Sequence, residues 1–308
     1  MKKRDFLSIA DHSSADLACI LKLAGRLKKA PGSHSGLLKG KSIALIFQKP
    51  SNRTRVSFET GIFQLGGNAI YLASDDISLG KREPTADIAR TLSRYVGGIV
   101  ARVFQHQDLL ELSQYSTVPV INALSDRSHP CQALADILTV QEKFGKLKGL
   151  KMAYIGDGNN MTNSLMLACA KVGMHMTVAT PKGYEPSSVY VMKARACAGA
   201  TGAKIALTHD PVEAAKGANV LYTDTWISMG QEKETARRLK DFKGYQIDGK
   251  LAARADKGYI FMHCLPAHRG QEVSKEIIDG AHSVIFDEAE NRLHVQKAIM
   301  VFLYGPRN

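Results

Sequence analysis

The 308-residue chain has no apolar run approaching the roughly 18 to 20 residues that cross a bilayer, so no membrane span is expected. Met1-Lys2-Lys3-Arg4-Asp5 is not followed by the apolar core of a signal peptide, and the expected location is cytoplasmic. Cysteines are few and scattered (Cys19, Cys131, Cys169, Cys197 and Cys264), odd in number and without paired C-x-x-C spacing. Neither a disulfide framework nor a structural metal is expected. Aromatic residues make up only 7% of the chain, and the basic segments at 146–151 and 237–240 lack the interleaved aromatics of a single-strand nucleic-acid groove. Those segments read as solvated faces, and no nucleic-acid partner is expected. Internal repeats and low-complexity tracts are absent as well.

What remains is the composition of a globular protein, 44% hydrophobic and 23% charged, with 41 Lys and Arg against 29 Asp and Glu. A net charge of +12 suits an anionic partner, whether nucleic acid, an anionic surface or a small substrate, and does not choose among them. The length exceeds what one core ordinarily serves, so two domains are predicted. Short β-branched runs alternate with longer helical patterns, which is the signature of α/β architecture with mainly parallel sheets flanked by helices. Strands are expected at 42–47, 99–104, 118–124, 152–155, 174–179, 204–208, 220–223 and 259–262. A first helix should start at Ser13, with Asp16 completing a capping box and Leu17, Ile20, Leu21, Ala24 and Leu27 facing the core. Further helices are expected from Ser51 to about residue 65 and over 130–144. The domain boundary is placed in the basic, glycine-containing stretch at 145–151, giving domains at 1–145 and 146–290. A terminal helix, 291–308, returns to the first domain.

In parallel sheets ligands bind beyond the carboxyl ends of the strands, so the residues after each strand carry the chemistry. After the first strand comes Ser51-Asn52-Arg53-Thr54-Arg55, whose hydroxyls, helix-start N–H groups and guanidinium forks suit a phosphate. Alone, the pattern fits a capped helix with two surface arginines equally well. Arg102 follows the next strand, and His129-Pro130-Cys131-Gln132 opens a helix after the third. An arginine and a histidine can donate to a carbonyl oxygen that gains charge, while Gln132 can accept from a substrate NH₂. Singly, Arg102 reads as a surface charge and His129 as a cap.

In the second half, Gly156-Asp157-Gly158-Asn159-Asn160 joins strand to helix but lacks the third glycine of a dinucleotide fingerprint, which argues against a nicotinamide enzyme. Asn160 could bind a carboxylate or merely cap its helix. Two more strands end in Asp224-Thr225-Trp226-Ile227-Ser228-Met229-Gly230 and His263-Cys264-Leu265-Pro266.

Together S-x-R-T-R, H-P-x-Q, D-x-W-x-S-M-G and H-C-L-P, in this order and spacing, resemble the ornithine carbamoyltransferases of the aspartate/ornithine carbamoyltransferase superfamily over nearly the whole chain. The resemblance implies transfer of the carbamoyl group of carbamoyl phosphate to the δ-amine of L-ornithine, giving citrulline and phosphate in arginine metabolism, without metal or cofactor. It implies carbamoyl-phosphate binding by Ser51, Asn52, Arg53, Thr54, Ser78, Arg102, His129, Gln132, Cys264, Leu265 and Arg292, with Arg55 supporting the loop. Ornithine would be held by Asn160, Asp224, Ser228 and Met229, with Arg102, His129 and Cys264 as the catalytic set. It further implies a homotrimer, in which the Ser78 loop enters a neighbouring subunit's site. This sequence departs from the family pattern at Asn52, where threonine is usual, and at Ser78, where many members carry glutamine. A related carbamoyltransferase acting on putrescine or acetylornithine is the alternative, and Asp224 with the Ser228-Met229-Gly230 loop argues against it.

Overall fold

The computed structural model describes residues 3–80, 82–228 and 230–305. The chain forms two compact units, one from residues 1–138 together with 290–308 and the other from 139–289. Each is built on a wholly parallel sheet.

In the first unit the strands are β1 (Ser42–Phe47), β2 (Asn68–Ala73), β3 (Gly98–Arg102) and β4 (Val120–Leu124), in the order β2-β1-β3-β4. The second sheet contains β5 (Lys151–Ile155), β6 (His175–Ala179), β7 (Ile205–Thr208), β8 (Val220–Thr223) and β9 (Ile260–His263), in the order β7-β6-β5-β8-β9. Strands covered on both faces need apolar residues without alternation, which is what Ile43-Ala44-Leu45-Ile46-Phe47 and Ile99-Val100-Ala101 supply, all buried. Strand β2 differs. None of its residues is fully buried, and this short, half-exposed edge strand was not anticipated from sequence.

The first long helix, Ser14–Lys29, is capped by Ser13 with the reciprocal Asp16 bond, and Leu17, Ile20, Leu21, Ala24 and Leu27 are buried as the 3.6-residue period requires. The helices Asn52–Gln64 and Pro130–Phe144 agree closely with the expected ranges. The last helix, Ile285–Tyr304, begins six residues earlier than the expected start at 291. Among the described residues no helix is long and apolar enough to cross a membrane.

Both sheets reverse their winding direction at one internal strand pair, β1/β3 in the first and β5/β8 in the second. The carboxyl ends of such a pair diverge into loops on opposite sides and leave a crevice for ligands. Ser51 to Thr54 and Arg102 leave the first pair; Asn159, Asn160 and Asp224 leave the second.

Gly156 and Gly158 serve the turn after β5 rather than a dinucleotide. Gly156 has φ +153°, and a Cβ on Gly158 would lie 2.3 Å from Pro186 N and 2.5 Å from Tyr184 O. The Gly158 N–H donates to that same carbonyl at 2.9 Å. Backbone cannot yield as a side-chain tip does, so Gly158→Ala should cost about 1–3 kcal/mol. A chemical-denaturation midpoint equal to wild type would refute this close-packing role.

Candidate active site

In the first unit the site is built on a helix start. Ser51 is extended at φ −164° and caps the Asn52–Gln64 helix, its Oγ accepting from Thr54 N at 3.4 Å and donating to Thr54 Oγ1 at 3.0 Å. Asn52 Oδ1 accepts from Arg53 N at 2.6 Å. The first N–H groups of a helix have no partners within it and carry the positive end of its dipole, so an anion is favoured there. Arg55 is engaged otherwise: its Nε donates to Glu59 at 2.8 Å and its guanidinium lies 3.8 Å from the centre of the Tyr71 ring. That geometry suits a supporting role.

Arg102 is buried at the end of β3, where the register with β4 shifts between Ala101 and Arg102. Such irregularities re-aim a side chain. His129 follows a loop folded on itself, with Ser125 N donating to Ser128 O at 3.0 Å and the buried Asn122 Nδ2 donating to Ser128 Oγ at 3.0 Å and Leu7 O at 2.8 Å. Burial holds the His129 imidazole well below its ordinary pKa of 6.5, and the positive charges of Arg292 and Arg102 push the same way. At neutral pH it is therefore uncharged, with one N–H to donate. Cys131 is unsuited to nucleophilic chemistry, since burial pushes its thiol up to about 12.

Arg292 gathers this unit's residues. It comes from the last helix, is 4% exposed, and donates from Nη1 to Gln132 Oε1 and from Nη2 to Thr54 Oγ1 at 2.8 Å. Gln132 Nε2 in turn donates to Asp136 at 2.8 Å. The Gln132 oxygen expected to meet a substrate NH₂ thus accepts from Arg292. Thr54, Gln132 and Arg292 are brought into one hydrogen-bonded cluster, with His129 feeling the charge of Arg292 and Arg102. Ser78 is placed differently. It is half-buried, closes the Ser74–Ile77 helix at φ +43°, and donates to Ser74 O at 3.4 Å.

In the second unit Asp224 is the centre. It is 6% exposed and accepts from Asn159 Nδ2 at 2.7 Å, Thr225 N at 2.8 Å and Cys264 Sγ at 3.1 Å. Asn160 is the first residue of the Asn160–Val172 helix, one position beyond the capping Asn159. Ser228 N donates to Gln231 Oε1 at 3.0 Å; Met229 lies outside the described residues. Leu265 takes φ +58°, and its N–H donates to His263 Nδ1 at 2.9 Å. His263 is fully buried, with Nε2 3.3 Å from Glu272 and its own N–H on Glu288 at 2.9 Å. Donor atoms of Asp224, His263 and Cys264 lie within 4.8 Å of one another, close enough to hold a metal ion. The protein already uses them otherwise, with the Cys264 thiol on Asp224 and His263 Nδ1 on Leu265 N–H.

Two features escaped the sequence reading. Asn159 holds Asp224 at 2.7 Å, and the pair of asparagines at a helix start was the available signal. Arg238 lies in a segment read as a solvated face, yet it is 6% exposed and donates to Asp157 Oδ2 at 3.0 Å and Trp226 O at 2.9 Å. It joins the turn after β5 to the loop leading to Ser228.

Residues 4–142 match the family described as "Aspartate/ornithine carbamoyltransferase, carbamoyl-P binding domain", and residues 148–303 match its "Asp/Orn binding domain". The chain belongs to the aspartate/ornithine carbamoyltransferase family. An ornithine carbamoyltransferase of Anoxybacillus flavithermus is 53% identical over 98% of this chain and 97% of its own length. An anabolic ornithine carbamoyltransferase of Pyrococcus furiosus is 51% identical over 98% and 96%. A solved ornithine carbamoyltransferase structure from Pyrococcus furiosus superposes with a TM-score of 0.96 at 50% identity, covering 99% of this chain and 98% of that one.

The Asp157–Arg238 pair yields a stability prediction. Burial pushes the Asp157 carboxyl up to about 6, from an ordinary 3.8, against the opposing pull of Arg238. The folded chain therefore keeps a proton up to about pH 6 that the unfolded chain loses near pH 3.8. Stability from this group falls as pH rises through that window, and Asp157→Asn should remove the fall. Arg238→Ala at neutral pH should cost about 3 kcal/mol by stranding a buried carboxylate, and adding Asp157→Asn should recover much of the loss. Additive losses in denaturant melts would contradict the pairing.

Proposed function

We propose that the chain catalyses transfer of the carbamoyl group of carbamoyl phosphate to the δ-amine of L-ornithine, forming citrulline and phosphate. The observation that carries the reading is the buried cluster in which Arg292 joins Thr54 and Gln132 beside an uncharged His129. Such a cluster offers fixed positive charge for a phosphorylated donor, and N–H groups where a carbonyl oxygen would gain charge.

In this reading Ser51, Asn52, Arg53 and Thr54 receive the phosphate, with Ser78 contributed by a neighbouring subunit. Arg102 and the neutral His129 donate to the carbonyl oxygen, and Gln132 and Arg292 orient the carbamoyl group. Asn160, Asp224, Ser228 and Met229 hold the α-carboxylate and α-ammonium of ornithine, while Cys264 and Leu265 flank its δ-amine. The uncharged amine attacks the carbamoyl carbon and a tetrahedral intermediate forms. The C–O bond to phosphate then breaks, phosphate leaves with the bonding electrons, and the proton lost by the nitrogen ends on the departing phosphate. No step calls on a metal or cofactor.

The same reading makes the protein a cytoplasmic homotrimer. The exposed apolar side chains Val56 and Phe63 on the Asn52–Gln64 helix and Ile70 on edge strand β2 support a subunit contact there. A light-scattering mass near 33.6 kDa, that of one chain, would remove the trimer.

An amine of ordinary pKa about 10.4 is scarcely nucleophilic at pH 7, so kcat/KM for ornithine should rise about tenfold per pH unit above neutrality until another group intervenes. Carbamoyl transfer, read as phosphate release, should occur with ornithine and not with putrescine, acetylornithine or aspartate offered alone. A flat profile between pH 7 and 8.5 would contradict the free-amine step, and turnover with a different acceptor would replace ornithine in the proposal.

A further inference from the structure

We infer that Asn159 is a positioning residue for the acceptor amino acid, setting the direction in which Asp224 presents its carboxylate; this rests on the reading of Asp224 as the acceptor's ammonium site.

Asn159 stands where one amide serves two elements. Its Oδ1 accepts from Met161 N at 2.9 Å and Thr162 N at 3.3 Å, capping the Asn160–Val172 helix. Its backbone N–H donates to Asp157 O at 2.8 Å, closing the turn. The oxygen must face helix N–H groups, so the NH₂ must face the other way, and there it meets Asp224 Oδ2 at 2.7 Å. The orientation of the amide is thus decided by the helix, and the helix in turn decides the donor that Asp224 receives.

The consequence for Asp224 follows from counting acceptor sites. A carboxylate offers about four lone-pair directions. Asn159 occupies one on Oδ2, while Thr225 N at 2.8 Å and Cys264 Sγ at 3.1 Å converge on Oδ1. With both oxygens held, the carboxylate plane cannot rotate, and one direction, on Oδ2, is left for a ligand ammonium. Loss of the Asn159 donor would free Oδ2 to turn while leaving Oδ1 in place. The cost would fall on acceptor binding, because the bond lost is the one that orients the acceptor's ammonium site.

Capping and positioning can be separated experimentally. Asn159→Ser keeps a capping oxygen but is too short to reach Asp224, and Asn159→Asp keeps the cap while setting a second carboxylate against Asp224. Steady-state kinetics are measured on both variants with whichever acceptor the wild type carbamoylates best, beside thermal melts. For Asn159→Ser the acceptor KM should rise about tenfold or more. The carbamoyl-phosphate KM should stay within about twofold, and Tm within about 3 °C of wild type. Asn159→Asp should raise the acceptor KM further, through like-charge repulsion. An unchanged acceptor KM in either variant overturns the inference, as does an equal rise in both KM values accompanying a lowered Tm. If the wild type prefers an acceptor other than ornithine, the proposed substrate fails while the KM split still decides the role of Asn159; a wild type without any carbamoyl transfer overturns both.

Discussion

A guanidinium removed from water loses several kcal/mol of solvation unless hydrogen bonds replace what water gave. Arg292 meets that demand with Thr54 from the start of one helix and Gln132 from another, so a single buried cation fixes the two segments that follow β1 and β4. Its charge also reaches His129, where with burial and Arg102 it keeps the imidazole neutral. A protonated His129 would add a third positive charge to a crowded buried cluster. The first unit therefore stores positive potential in arginines and leaves its histidine as a directional donor, an arrangement suited to a dianionic donor molecule whose carbonyl must be polarised without proton exchange.

The second unit inverts the sign. Its buried ionisable groups after the strand ends are Asp157 and Asp224, with Glu272 and Glu288 behind β9. Asp157 is matched by Arg238, and Glu288 accepts from His263 N and Tyr222 Oη. Asp224 is held by an amide, a backbone N–H and a thiol, and among the described residues it makes no ion pair with an arginine or lysine. An uncompensated buried carboxylate is unfavourable for folding alone and becomes favourable when a cationic ligand supplies the missing charge. Anion-seeking and cation-seeking halves on one chain are the electrostatic logic of joining a phosphorylated donor to an amino-acid amine.

Legibility from sequence followed the range of the forces involved. Continuous apolar runs such as residues 43–47 admit few structures besides a parallel strand with both faces covered, and the Ser13–Asp16 capping box is settled within four residues. Strand β2, which was missed, is an edge strand that buries none of its side chains fully. Asn159 was passed over because a helix boundary cannot be fixed to one residue from sequence, and its bond to Asp224 spans 65 positions. Arg238 was misread because its partner lies 81 positions away, and a basic run looks alike whether solvated or tied inward. The Gln132–Arg292 bond spans 160 positions, so the motif located the glutamine without revealing what its oxygen accepts.

The most direct test of the electrostatic account is the affinity of the chain for carbamoyl phosphate, measured by titration calorimetry on the wild type and on Arg292→Leu. If the buried guanidinium organises the donor site, the variant should bind at least about tenfold more weakly while keeping its cooperative thermal transition. Equal dissociation constants in the two proteins would show that Arg292 merely braces the last helix, and the account would fail.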